Sequence, residues 1–209
     1  MLTIALAKGR IQEEAADIFR RAGYQPDAWM KESRKLIHEV PEDDMRVMIV
    51  RATDVPAYVE HGAADVGIVG RDTVLEQAPD VYEPLDLGIG RCRLCVARPR
   101  EGGPDRSPLV VATKYPHLAE TWFSRQGRQI ELVKLYGSIE LAPLTGLADC
   151  IVDLVSTGGT LRENGLVEEA TIQDISTILI ANRASVKTRS AAIKTLIERL
   201  RPVCEPEVS

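Results

Sequence analysis

Five consecutive residues, Ser156-Thr157-Gly158-Gly159-Thr160, place three hydroxyls around two glycines, a combination suited to gripping an anion. Glycines allow positive φ and let backbone N–H groups approach a charged oxygen closely, and the hydroxyls add donors. The apolar run before them, Cys150-Ile151-Val152-Asp153-Leu154-Val155, predicts a buried strand that stops at the loop. A helix starting over 161–164 would turn its positive end toward the same anion. Asp153, at the carboxyl end of that strand, could accept the hydroxyls of a sugar. The five residues also fit an ordinary tight turn. The lysine of an ATPase-type phosphate loop and the glycine spacing of a dinucleotide fingerprint are both missing, which disfavours those chemistries.

Other candidates are cations at strand ends. Lys8-Gly9-Arg10 closes an apolar stretch over 2–7, a position suited either to meeting phosphate or to solvated charge at a helix start. Arg34 precedes one predicted strand and Arg51 ends another over 45–50; by spacing alone both read as surface arginines. Between Asp65 and Asp72, Gly67 and Gly70 permit close approach by a ligand or by a neighbouring strand. Glu140 is either a helix-start carboxylate or a ligand to a sugar or a hard cation. Cys92 and Cys95 form a C-x-x-C inside a predicted strand, with no second pair or histidine motif to complete a metal site. With Cys150 and Cys204 they read as reduced thiols, and His38, His61 and His117 show no ligand spacing.

The segment Glu140-Leu141-Ala142-Pro143-Leu144-Thr145-Gly146-Leu147-Ala148-Asp149, continuing through Asp153 to Thr160-Leu161, resembles the signature of the ATP phosphoribosyltransferase family. A short form of that family is similar in length to this chain from end to end. Purine and pyrimidine salvage enzymes carry two adjacent acids before Thr-Gly-Gly-Thr, whereas this chain has Val152 and then Asp153. The resemblance implies transfer of a phosphoribosyl group from 5-phosphoribosyl diphosphate to N1 of the adenine of ATP, the first step of histidine biosynthesis. On that reaction Ser156, Thr157, Gly158, Gly159 and Thr160 are expected to take the 5-phosphate and Asp153 the ribose hydroxyls, with Glu140 a second candidate for the sugar or the Mg²⁺ shell. Ala7-Lys8-Gly9-Arg10 is similar to the family's opening motif, which implies nucleotide contacts for Lys8 and Gly9. Arg34 and Arg51 match cations near the nucleotide phosphates, and the stretch holding Gly67 and Gly70 matches a loop at the cleft. Asp153, Lys8 and Arg51 are therefore the expected catalytic residues. Mg²⁺ is expected to arrive on the substrate phosphates, with no dedicated protein metal site. The short form is expected to be a homodimer that joins a regulatory subunit similar to histidyl-tRNA synthetase.

The elements that must position these residues follow from periodicity. At 209 residues and 44% hydrophobic composition the chain can bury a sizeable core. A net charge of −5 and a pI of about 5.4 argue against a general nucleic-acid surface. No run of 18 apolar residues and no leader pattern is evident, so a cytoplasmic protein without a membrane span is expected. Strands over 2–7, 45–50 and 65–72 alternate with helices over 11–22 and from Arg51 onward, the latter with Thr53 or Asp54 as cap. A second series has strands over 109–112 and 130–135, helices over 116–126 and 140–149, and the strand into the phosphate loop. A strand over 171–182 then returns, a helix over 186–200 packs on the first lobe, and the tail from Pro202 frays. The expected fold is α/β, two-lobed and periplasmic-binding-protein-like, each lobe a mainly parallel sheet flanked by helices, with the site in the cleft. The expected lobes are 1–90 with 183–209, and 91–182. The same layout would also serve a non-catalytic module that closes on a small anion.

Overall fold

The computed structural model describes residues 1–31, 34–102 and 106–204; Ser33, residues 103–105 of the proline- and glycine-rich stretch, and the tail past Cys204 lie outside the described residues. Two compact units form, Met1–Gly90 joined by the segment from Ser176 onward, and Arg91–Ile175. The first unit contains β1 (Leu2–Ala7), α1 (Arg10–Arg21), α2 (Asp27–Met30), β2 (Ile37–Val40), β3 (Met45–Val50), α3 (Val55–Glu60), β4 (Val66–Gly70), α4 (Arg71–Gln77) and β5 (Val81–Asp86). The second contains β6 (Cys92–Pro99), β7 (Leu109–Thr113), α5 (Pro116–Arg125), β8 (Ile130–Lys134), α6 (Leu141–Leu144), β9 (Cys150–Val155), α7 (Gly159–Glu163) and β10 (Leu166–Ile175). The chain then completes the first unit with β11 (Thr177–Asn182), α8 (Arg183–Thr188) and α9 (Ser190–Cys204).

In the first unit the strand order is β2-β3-β1-β4-β11-β5. Strand period two divides its core between the sheet's faces. From β1, Leu2, Ile4 and Leu6 join a cluster with Ile18 and Phe19 of α1 and Ile193, Leu196 and Leu200 of α9. Ala5 and Ala7 face the other way, into a cluster with Val55 and Val59 of α3 and Ile178 and Ile180 of β11. The residues on that second face are small where α3 crosses. A Cβ on Gly67 would lie 2.7 Å from both Val55 Cγ1 and Val59 Cγ2 and 3.1 Å from Ile180 Cγ1. Gly67 is thus the point where α3 seats on the sheet; the neighbour its missing side chain admits is protein.

Both sheets are mixed, each built on three adjacent parallel strands with antiparallel partners beside them. β3-β1-β4 is parallel, but β2 pairs antiparallel with β3, and β11 pairs antiparallel with both β4 and β5. The second sheet, β10-β6-β9-β7-β8, is parallel only across β9-β7-β8, with β6 antiparallel to β9 and β10. β11 begins beside the end of β4, Thr177 opposite Gly70, and so runs against it. The expected single strand over 171–182 is two strands split at Ser176, β10 in one sheet and β11 in the other. The unit boundary accordingly falls at Ser176, earlier than the expected residue 183.

Three helix expectations also change. The helix over 140–149 shrinks to the single turn α6, because Pro143 lies inside it and Gly146 turns left-handed at φ 74°. α3 is entered through a 3₁₀ turn over 52–54, and neither Thr53 nor Asp54 makes a side-chain cap; Thr53 Oγ1 donates to Asp54 Oδ1 at 3.2 Å instead. The carboxy-terminal helix divides into α8, capped by Asn182 Oδ1 accepting from the N–H groups of Ala184 and Ser185 at 2.9 Å, and α9, which continues through Pro202 to Cys204.

The packing at Gly67 generates a test. Because Val55 and Val59 are β-branched and cannot swing aside freely, Gly67→Ala should overpack the α3 face and cost about 1–3 kcal/mol of stability. Urea denaturation should show a lower midpoint with an unchanged slope, whereas an unchanged midpoint would refute this role for Gly67.

Candidate active site

The second unit carries the phosphate-loop candidate. β9 is held on one side by β6, with Val155 opposite Arg93, and on the other by β7, whose pairing stops at Val152. The Val152 carbonyl accepts from the buried Thr113 hydroxyl at 2.7 Å. Past that point the strand is free of β7, and Asp153 emerges half-buried with its Oδ1 accepting the Leu154 N–H at 2.8 Å. Ser156 and Thr157 are exposed, and Gly158 is left-handed at φ 72°, the backbone value that favours glycine. A concavity of about 200 Å³ is lined by Glu140, Asp153 and the whole of Ser156-Thr157-Gly158-Gly159-Thr160. These residues, named from sequence as one ligand set, line this one concavity. α7 spans only five residues, so the anion attraction rests on local N–H and hydroxyl donors rather than on a long helix dipole.

Around this loop stand residues that sequence reading missed. Arg93 Nε and Nη2 donate to Glu168 Oε2 and Oε1 at 2.8 and 2.5 Å, and Arg93 Nη1 donates to the Ser156 carbonyl at 3.1 Å. Arg162 Nη1 donates to the Thr157 carbonyl at 3.0 Å. The hydrogen bond from Arg93 holds the Glu168 carboxyl below the usual carboxylate range. Arg162 lies beside the recognised loop and could have been flagged by adjacency. Arg93 and Glu168 lie 75 residues apart, so only the β6–β10 pairing brings them together.

The first unit gathers cations at one sheet edge. β1 and β3 are parallel and in register, Ala7 opposite Val50, and the Lys8 N–H donates to the Val50 carbonyl at 2.9 Å. Lys8 and Arg51 therefore follow neighbouring strand ends at the carboxyl edge, where open α/β sheets bind ligands. β2 runs against β3, and the Leu36 carbonyl accepts the Ile49 N–H at 2.8 Å, so Arg34 precedes a strand that starts at this same edge. Lys8, Arg34 and Arg51 are exposed, and none makes an ion pair with another described residue. Gly9, at φ 97°, caps α1 with open space around its Cα, so its backbone is accessible. Gly70 also ends a strand at this edge, but a Cβ there would meet Asp72 Oδ1 at 2.2 Å, so Asp72 already covers it. Gly67, buried under α3, does not join the exposed set.

A model of the family described as ATP phosphoribosyltransferase matches residues 51–202. ATP phosphoribosyltransferase 2 of Geobacter sulfurreducens is 56% identical over 204 residues, covering 95% of this chain and 96% of that protein. The ATP phosphoribosyltransferase of Bacillus licheniformis is 54% identical over 206 residues, 99% of this chain and 97% of its own. Among solved structures, the ATP phosphoribosyl transferase (HisG:HisZ) complex from Thermotoga maritima contains a chain that superimposes with a TM-score of 0.84 at 32% identity, over 98% of each chain. The alkanesulfonate-binding protein SsuA from Xanthomonas axonopodis pv. citri matches at a TM-score of 0.58 and 12% identity over 97% of this chain and 72% of its own, a likeness of fold alone.

The cysteines beside the loop strand give a chemical check on this geometry. None of the four is in a disulfide among the described residues; Cys95 and Cys150 are buried and Cys92 and Cys204 half-buried. Burial pushes the Cys150 thiol up to about 12 and raises that of Cys95. Since the thiolate is the reactive form, iodoacetamide at pH 8 should modify Cys92 and Cys204 well before Cys95 and Cys150 in the folded protein. Peptide mass mapping showing Cys150 alkylated first would contradict the buried β9.

Proposed function

The chain belongs to the ATP phosphoribosyltransferase family, and from that premise we propose how its residues perform the family's reaction. In that reaction N1 of the adenine of ATP attacks the anomeric carbon of 5-phosphoribosyl diphosphate. A carbon–nitrogen bond forms, the bond from that carbon to diphosphate oxygen breaks, and diphosphate departs with the bonding electrons. The products are phosphoribosyl-ATP and diphosphate, the opening step of histidine biosynthesis. The nucleophile is a neutral ring nitrogen, so no strong general base is required. Catalysis then rests on placing two large anions and on stabilising the charge that grows on the leaving group.

The observation that carries the assignment of roles is the single concavity shared by Asp153, Glu140 and the loop over 156–160. The loop's N–H groups and hydroxyls take the 5-phosphate. Asp153, oriented by the Leu154 N–H, accepts the ribose hydroxyls, and Glu140 is the second candidate for the sugar. From the first unit, Lys8, Arg34 and Arg51 neutralise phosphates, supported by their exposure at one sheet edge and their lack of ion-pair partners among the described residues. The backbone of Gly9 accompanies Lys8; Gly67 and Gly70 serve packing and leave the ATP set. Asp153, Lys8 and Arg51 are the catalytic residues on this reading.

Mg²⁺ comes as part of the substrates. The oxygens of Glu140 and Asp153 suit a hard cation but are too few to form a cage, so phosphate and water would complete its shell. Bound there, Mg²⁺ would add positive charge opposite the departing diphosphate. Among the described residues no helix is long and apolar enough to cross a membrane. Both substrates are cytoplasmic metabolites, which supports a cytoplasmic place for the enzyme. The Thermotoga maritima neighbour was solved with HisZ. This supports a hetero-oligomer in which a homodimer of this chain joins a regulatory subunit similar to histidyl-tRNA synthetase. A non-catalytic anion-binding module is not favoured, because its support is a likeness of fold at 12% identity against 56% identity to a transferase.

The decisive experiment follows near-ultraviolet absorbance of N1-substituted adenine on mixing the chain with ATP, phosphoribosyl diphosphate, Mg²⁺ and inorganic pyrophosphatase, with and without the HisZ-type partner. Signal should require both substrates; silence with the partner present would overturn the transferase reading. Asp153→Asn removes a charge-assisted hydrogen bond while keeping shape, so kcat/KM for phosphoribosyl diphosphate should fall about tenfold or more with ATP binding nearly intact. Equal losses for the two substrates would remove Asp153 from the sugar site.

A further inference from the structure

The loop over 156–160 has its peptides held from behind by side chains outside the concavity. Ser156 C=O and Thr157 N–H belong to one trans peptide and point in opposite directions; Thr157 C=O and Gly158 N–H are related in the same way. Arg93 Nη1 holds the first carbonyl at 3.1 Å and Arg162 Nη1 holds the second at 3.0 Å. The N–H groups of Thr157 and Gly158 are thereby turned away from the arginines, and neither donates to an acceptor among the described residues. Gly158 fits tightly against this support: a Cβ would lie 3.1 Å from Arg162 Nη1 and 3.2 Å from Glu168 Oε1.

Arg93 can serve in this way because Glu168 fixes its plane. Two of its nitrogens are paired with the two carboxylate oxygens in a fork, which sets the direction of the third, Nη1, toward Ser156. Glu168 also accepts from the Cys95 thiol at 3.5 Å. The pair lies on β6 and β10, outside the residues that line the concavity.

We propose that Arg93, locked by Glu168, is a positioning residue for the phosphate loop: it holds the Ser156 carbonyl so that the Thr157 N–H is presented to the 5-phosphate of phosphoribosyl diphosphate. The proposal rests on the assignment of that phosphate to this loop. Lysine in place of Arg93 keeps the charge but cannot direct three donors from one plane, so Arg93→Lys separates positioning from electrostatics.

The test measures binding of ribose 5-phosphate by calorimetry, KM for each substrate and unliganded Tm for wild type, Arg93→Lys, Glu168→Gln and the double variant. Arg93→Lys should weaken ribose 5-phosphate binding and raise KM for phosphoribosyl diphosphate about tenfold, the worth of one charge-assisted hydrogen bond. KM for ATP should stay within about twofold. Glu168→Gln should shift the same parameters less, and the double variant should be no worse than Arg93→Lys alone, since both act through one contact. Unchanged ribose 5-phosphate affinity in Arg93→Lys, or a parallel loss for both substrates tracking a fall in Tm, would overturn the proposal. If wild type itself binds no ribose 5-phosphate, the loop assignment fails and the proposal fails with it. Wild-type binding with an undiminished Arg93→Lys sinks the positioning role alone.

Discussion

The fork between Arg93 and Glu168 is the contact on which the second unit's loop depends. A phosphate gripped by backbone N–H groups gains little from a chain that can rotate its peptides, because each lost orientation is a lost donor. Here the strand brings the chain to Ser156, and β7 pairing has already ended at Val152. Two consecutive carbonyls are then tied to guanidinium groups. The left-handed Gly158 completes the turn where a side chain would crowd Arg162 Nη1 and Glu168 Oε1.

The first unit meets the opposite need. Its cations Lys8, Arg34 and Arg51 are exposed, so the order around them comes from the sheet beneath. Asp65 is the main bolt: its Oδ2 accepts the Thr3 N–H at 2.8 Å, and its Oδ1 accepts the Ser185 hydroxyl at 2.7 Å and pairs with Arg189 Nε at 3.1 Å. One buried carboxylate thus joins the start of β1, the start of β4 and α8. With β1 fixed in register against β3, the positions following Ala7 and Val50 are fixed too, and Lys8 and Arg51 inherit that order.

What could be read from sequence was local. β1 and β3 have the expected bounds because each is a short apolar run closed by a cation or glycine, and β9 with its loop was legible for the same reason. Non-local facts were not. Gly67 fitted close approach by a ligand or by a neighbouring strand, and only the fold shows Val55 and Val59 of α3 and Ile180 of β11 there. The helix expected over 140–149 contains Pro143 and Gly146, and only one turn of it forms. Arg93 and Glu168 carry no mutual signal in a linear chain, because a bulge-containing antiparallel register decides that they meet. Antiparallel β11 was hidden by an apolar pattern that is the same in either direction.

The place of β11 also bears on the order in which this chain can fold as it leaves a ribosome. β11 lies between β4 and β5, yet it is made after the entire second unit. β5 therefore has no partner strand in its sheet until residues past Ser176 emerge. Arg91–Ile175 is continuous in sequence and can close its own sheet first, while the earlier-made first unit waits with the edge of β4 unpaired. An unpaired edge is an aggregation hazard during that interval. Synthesis runs from one terminus to the other, but the first-made unit is the last to finish.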